Sequence, residues 1–279
     1  MKQEQVEQFR HWFEEYTGRF YGHDEYVNIH IQLKQEHTKR TCEEIGLLAG
    51  QLALDESQRY IAEVIALFHD IGRFPQFAKY RTYKDALSVD HCRLGVEVLT
   101  QEGIFGCLRR EERQWVETAV EHHGRKSLPA DLRGQALLFA KLIRDADKLD
   151  IFRVVLTNYR AYHHEPAKFS FELELPDEPG YSPAVLDAVM NGTLVGYENL
   201  RTMNDMKLCQ LGWVYDLNFA ASLERLHQQG FIEELLRLLP QTPEITQVSE
   251  KIGRYIDAKL DRTQRRSERE VPLGRHYRD

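Results

Sequence analysis

The stretch YIAEVIALFHDIGRF, residues 60–74, decides how the first half of the chain reads. Ile61, Val64, Ile65 and Phe68 recur at helical spacing and predict a helix over about 57–69 that Gly72 stops. At its end an imidazole and a carboxylate stand side by side, His69-Asp70. The pair alone carries little weight. With 12 His and 16 Asp in 279 residues, chance gives roughly 0.7 such dipeptides, and His23-Asp24 is a second one. What matters is the company it keeps.

Upstream, Val27, Ile31, Leu33, Ile45, Leu48 and Leu52 predict one long amphipathic helix over about 25–53. Downstream, GRFPQFAKYRTYKDAL (72–87) holds a proline, several aromatics and several basic residues, and predicts a loop. Helices are expected again over about 89–101, 110–122 and 132–161. Composition then changes. Pro166, Pro176 and Pro179 interrupt the pattern, and KFSFELEL alternates like a short strand or hairpin arm near 168–175. Helical periodicity returns over about 183–190, 203–239 and 243–261, before the charged tail RTQRRSERE. The expected fold is mainly all-α: a helical core over 1–162 and a C-terminal helical extension over 163–279 that packs on or covers the site.

A hydrophobic content of 42% and a charged content of 29% belong to an ordinary globular protein. The net charge of −7 argues against a dedicated nucleic-acid surface, while leaving room for a local basic pocket. No stretch approaches the roughly 18–20 apolar residues of a membrane span. The start, MKQEQVEQFRHWFEEY, lacks the apolar core of a secretory signal, so the expected compartment is the cytoplasm. Cys42, Cys92, Cys107 and Cys209 show no CxxC spacing and read as packed, reduced thiols, not as a metal site. A homo-oligomer is compatible with all of this.

At or near the ends of the predicted helices lie His37, His69-Asp70, His91, His122-His123 and Asp147. Imidazole mixed with carboxylate suits Fe, Mn, Co, Ni or Zn better than Mg²⁺ or Ca²⁺. Neighbouring residues on a helix point about 100° apart, so two adjacent ligands share a site only where the helix ends, or serve two adjacent ions. Asp70 is placed to bridge two ions.

This ordered set resembles the HD-domain superfamily of metal-dependent phosphohydrolases, whose two-metal members carry H…HD…H…HH…D. The resemblance covers about residues 25–160. It implies that His37, His69, Asp70 and Asp147 hold one divalent transition metal and that His91, His122 and His123 hold a second, with Asp70 between them. Arg73 stands where several branches place a lysine, and offers a planar fork to an oxyanion. After His122-His123 comes GRKSLP in place of an acidic GYP segment, which argues against cyclic di-GMP as substrate.

The implied activity is hydrolysis of a phosphomonoester or phosphodiester of a nucleotide-like small molecule by a metal-activated hydroxide, with Asp70 and Arg73 as catalytic groups. It should fall below about pH 6, since ligating imidazoles must be neutral. Tyr80, Arg81 and Lys148 join Arg73 as candidate substrate contacts, and Arg144 and Arg153 also flank Asp147. The same ligand set serves mixed-valent di-iron oxygenases, and a metal-stabilised nucleotide sensor is a third reading. His23-Asp24, His163-His164, His227 and His276 read as ordinary structural groups. So does His30, although it shares a helical face with His37.

Overall fold

The structure, a computed structural model, describes residues 1–164 and 175–270, the last eight of these by backbone alone. It is all-α, with no strand among the described residues. The hairpin arm expected near 168–175 lies outside the described residues apart from Leu175. The chain divides into two compact units, Met1–Ile151 and Phe152–Asp279.

The first unit is built from α1 (Gln3–Gly18), α2 (Glu25–Gln51), α3 (Glu56–Phe68), α4 (Arg73–Tyr80), α5 (His91–Gln101), α6 (Arg110–His122) and the first half of α7 (Gly134–His164). Acidic caps start three of these helices. Asp24 accepts from the Val27 N–H, Asp55 from the Gln58 N–H and Asp90 from the Arg93 N–H, each satisfying an orphan amide of a first turn. The Asp24 of the second His-Asp pair is therefore a helix cap. α2 packs along α3, α5 along α6, and α1 and α6 close over α3.

The wholly buried face of α3, Ile61, Val64, Ile65 and Phe68, follows the periodicity that predicted it. Its aromatic end meets Phe9 edge to face at 5.7 Å, and Phe13 meets Phe74 at the same distance.

The expected loop over 72–87 is instead led by a helix. Pro75 falls in the first turn of α4, where its missing N–H costs nothing, and Phe74 and Phe77 bury one face three residues apart. α4 ends at Arg81, which adopts a left-handed φ of 56°, and a 3₁₀ turn (Asp85–Leu87) leads to α5. Gly72 explains how α4 and α5 meet. A Cβ there would overlap the His91 carbonyl oxygen and lie 2.6 Å from the Gly95 nitrogen.

The second unit holds the rest of α7 with α8 (Pro183–Met190), α9 (Met203–Gly212), α10 (Ala220–Gln228), α11 (Phe231–Arg237) and α12 (Pro243–Glu270). The periodic run over 203–239 is thus three helices. A 3₁₀ turn over Trp213–Asp216 breaks it first, and Gly230, at φ 66°, breaks it again. Trp213 packs edge to face on Phe152 at 5.6 Å, a core contact. No helix among the described residues is long and apolar enough to cross a membrane.

Candidate metal centre

Five helices converge their polar groups on Asp70, which follows α3 in a turn and is only 4% exposed. α2 brings His37, the end of α3 brings His69, α5 brings His91 at its first residue, and His123 caps α6. α7 brings Asp147. All four imidazoles are buried.

Each imidazole is anchored at Nδ1, which turns Nε2 inward. His69 Nδ1 lies 2.7 Å from the Ala66 carbonyl oxygen and His123 Nδ1 2.8 Å from that of Val120. His37 Nδ1 lies 2.7 Å from Asp150 Oδ2, and His91 Nδ1 2.7 Å from Asp85 Oδ2. Such an anchor selects the tautomer with a bare Nε2 and fixes the ring plane, as in histidines that bind metals.

The inward atoms form two groups. His37 and His69 bring their Nε2 atoms within 3.2 Å of each other, and so do His91 and His123. Asp70 is divided between them. Its Oδ2 lies 3.6 Å from His37 Nε2 and 3.7 Å from His69 Nε2. Its Oδ1 lies 3.5 Å from His91 Nε2 and 3.4 Å from His123 Nε2. Asp147 Oδ1 belongs to the first group, 3.1 Å from His37 Nε2 and 3.8 Å from His69 Nε2.

Nitrogens 3.2 Å apart are the spacing of two ligands each about 2.1 Å from one ion at roughly 100°. The donor set of imidazoles with two carboxylates is therefore compatible with divalent transition metals.

The electrostatics are mixed: burial alone would lower His37 and His123, yet Asp147 and Asp150 hold His37 above its ordinary value, and Cys92 and Asp70 hold His123 well above it. Burial alone would raise the Asp70 carboxyl, yet Lys34, the imidazoles and Arg73 hold it well below its ordinary range, so it is a carboxylate. Asp147 is likewise lowered against its burial, by His37 and His69. Burial drives His69 down to about 4, which keeps its ring neutral and able to donate a lone pair.

His122 departs from the set that the resemblance implied. It is half-buried and contributes no donor to these groups. The reason is helical phase. His123 keeps α-helical angles, φ −61° and ψ −42°, so its neighbour stays about 100° round the axis. The end of α6 is held by Arg144, whose guanidinium donates to the carbonyls of His122, His123 and Arg125.

Arg73 lies beside the centre but is tied to protein. Its Nη1 donates to Gln76 Oε1 at 2.9 Å, the Tyr83 carbonyl at 2.5 Å and Asp85 Oδ1 at 2.9 Å. Its Nε is buried without a hydrogen-bond partner, 3.6 Å from Asp70 Oδ1. Arg73 thus braces Asp85, which in turn orients His91. Arg81 pairs with Asp24 and stacks over Tyr26, while Tyr80 lies under Lys79. Lys148, half-buried, follows Asp147 on α7. His30 is stacked on Phe77 at 4.2 Å, outside these groups.

Sequence reasoning missed several residues. Asp150 stands three residues after Asp147, and Arg40, which pairs with it at 2.6 Å, three after His37. Lys34 stands three residues before His37, with Nζ 2.7 Å from Asp70 Oδ2. Helical spacing from known candidates is the signal that would have found all three. Asp85 had no such signal, because it lies between helices. Cys92 was set aside for lack of a CxxC partner, yet its Sγ is 3.3 Å from His91 Nε2.

Residues 35–151 match the model of a protein family described as the HD domain. No curated protein and no solved structure matches the chain. The matched span contains every residue of the two groups. HD domains bind divalent metals, and most members of the superfamily are hydrolases.

Proposed function

We propose, from the HD domain that residues 35–151 form, that this protein hydrolyses a phosphate ester of a nucleotide-like small molecule with divalent transition metals. The observation that carries the reading is the division of Asp70, one carboxylate oxygen facing each anchored histidine pair. His37, His69, Asp147 and Asp70 Oδ2 would hold one ion, and His91, His123 and Asp70 Oδ1 the other. When bound, such ions acidify a water molecule and draw charge from a phosphoryl oxygen.

The chain's own residues supply positioning. Asp150 and Asp85 each fix one imidazole and strengthen it as a donor. Buried Asp70 and half-buried Asp147 supply negative charge that an ion would neutralise, and the low local dielectric strengthens that attraction. Arg73 holds the Tyr83–Asp85 segment beside the centre, with its unpartnered Nε directed to the Asp70 side. An anionic ester is favoured by the cations gathered there, Arg73 and Lys34.

The test starts from protein stripped by a chelator and reloaded in turn with Mn²⁺, Fe²⁺, Co²⁺ or Ni²⁺. Release of p-nitrophenol from p-nitrophenyl phosphate or its bis-ester, dependent on the added metal, is the expected result. Absence of hydrolysis with every metal, together with stoichiometric O₂ uptake by the iron form, would replace the hydrolase reading with an oxygenase.

A further inference from the structure

Lys34 is a cation that reaches the centre from a partly exposed position. It sits on α2 one turn before His37, with Nζ 2.7 Å from Asp70 Oδ2 and 5.1 Å from the centre of the Tyr83 ring. Its side chain is 21% exposed, so it reaches the carboxylate from the solvent side. Arg73 contrasts with it, since one of its nitrogens alone serves Gln76, Tyr83 and Asp85.

The oxygen that Lys34 holds is also the one facing His37 and His69. An ion held by those imidazoles would take that oxygen and repel the ammonium, which would then need another anion within its reach. We propose that this anion is the substrate's phosphoryl group: Lys34 binds it, and its charge selects a dianionic terminal phosphate over a singly charged diester. The inference rests on the hydrolase reading above.

Charge supports the selection. Asp70 and Asp147 set two negative charges against the one positive charge of Lys34. The outer pairs Asp150–Arg40 and Asp85–Arg73 cancel. One divalent ion therefore leaves the lining at a single net positive charge, and two ions leave it at three. A dianion neutralises more of that excess than a monoanion does. Lys suits the task as a point charge that meets phosphate without a fixed fork geometry.

The test uses the Mn²⁺-loaded protein and its Lys34→Met and Lys34→Arg variants. Calorimetric titration measures binding of inorganic phosphate and of dimethyl phosphate, a monoanionic diester. Wild type is expected to prefer inorganic phosphate. Lys34→Met should weaken inorganic phosphate by about 10- to 100-fold, the value of a charged hydrogen bond, and dimethyl phosphate by less. Lys34→Arg should restore part of the loss. Mn²⁺ itself should bind Lys34→Met as tightly as wild type or more tightly, because a competing cation has gone. Equal phosphate affinity in wild type and Lys34→Met, equal losses for the two anions, or no phosphate binding by wild type would each overturn the inference. Wild type that binds phosphate in the expected way but cleaves no ester refutes the hydrolase reading alone.

Discussion

Asp150→Asn isolates one half of the proposed centre. Asp150 is fully buried, accepts from His37 Nδ1 at 2.7 Å and is held by Arg40 at 2.6 and 3.1 Å. Asparagine keeps the volume and one acceptor oxygen but removes the negative charge that makes His37 a better donor. Loss of such a carboxylate behind a ligating histidine costs about 10- to 100-fold in metal affinity, or about 1.4–2.7 kcal/mol. The loss should be confined to the His37/His69/Asp147 position, because Asp150 touches none of the residues around His91. Asp85→Asn is the mirror case, since Asp85 orients His91 at 2.7 Å and not His37. Competition of Mn²⁺ against a fluorescent chelator, fitted to two sites, separates the two affinities. Each variant should weaken one site and spare the other. If both variants keep both wild-type affinities, or if each weakens both sites alike, the division of Asp70 between two ions is wrong.

Asp70→Ala should remove metal from both positions, as read by elemental analysis of the purified variant; an unchanged metal content would show that Asp70 bridges nothing. Gly72→Ala forces a Cβ into the His91 carbonyl and Gly95, so urea denaturation should register a loss of about 1–3 kcal/mol or more. A midpoint equal to wild type would mean that α4 and α5 can separate without cost. Glu112 is almost fully buried, and burial would raise its carboxyl. Hydrogen bonds from the Arg109 side chain and backbone nevertheless lower it from 4.5 to about 2. Because the folded value is depressed, this stability is fully present above pH 4.5 and is lost as pH falls toward about 2. Acid unfolding of Glu112→Gln should therefore show a shallower loss across that window than wild type, and a parallel curve would contradict the assignment.

Much of this architecture was legible in residue order. The helices over 25–53 and 57–69 followed from apolar spacing and appear within two residues as Glu25–Gln51 and Glu56–Phe68. The resemblance to the HD domain followed from the succession His37, His69-Asp70, His91, His122-His123 and Asp147, because residue type and helix ends are local properties. Errors arose where local signals were ambiguous. A proline reads as a breaker until its position in a first turn is known, as Pro75 shows in α4. A continuous apolar run hides breaks such as Trp213–Asp216, where tertiary packing outweighs propensity.

The sequence by itself offered the candidate ligands and most of the helices that carry them, since helical phase and donor chemistry are written in neighbouring residues. Only the tertiary structure decided how those groups meet. It turned His122 away by helical phase, gave each oxygen of Asp70 its own histidine pair, and set Asp150, Asp85 and Lys34 against them across 113, 6 and 36 residues of chain. Those relations depend on how α2 through α7 pack, and no local pattern encodes the distance between side chains that meet through packing.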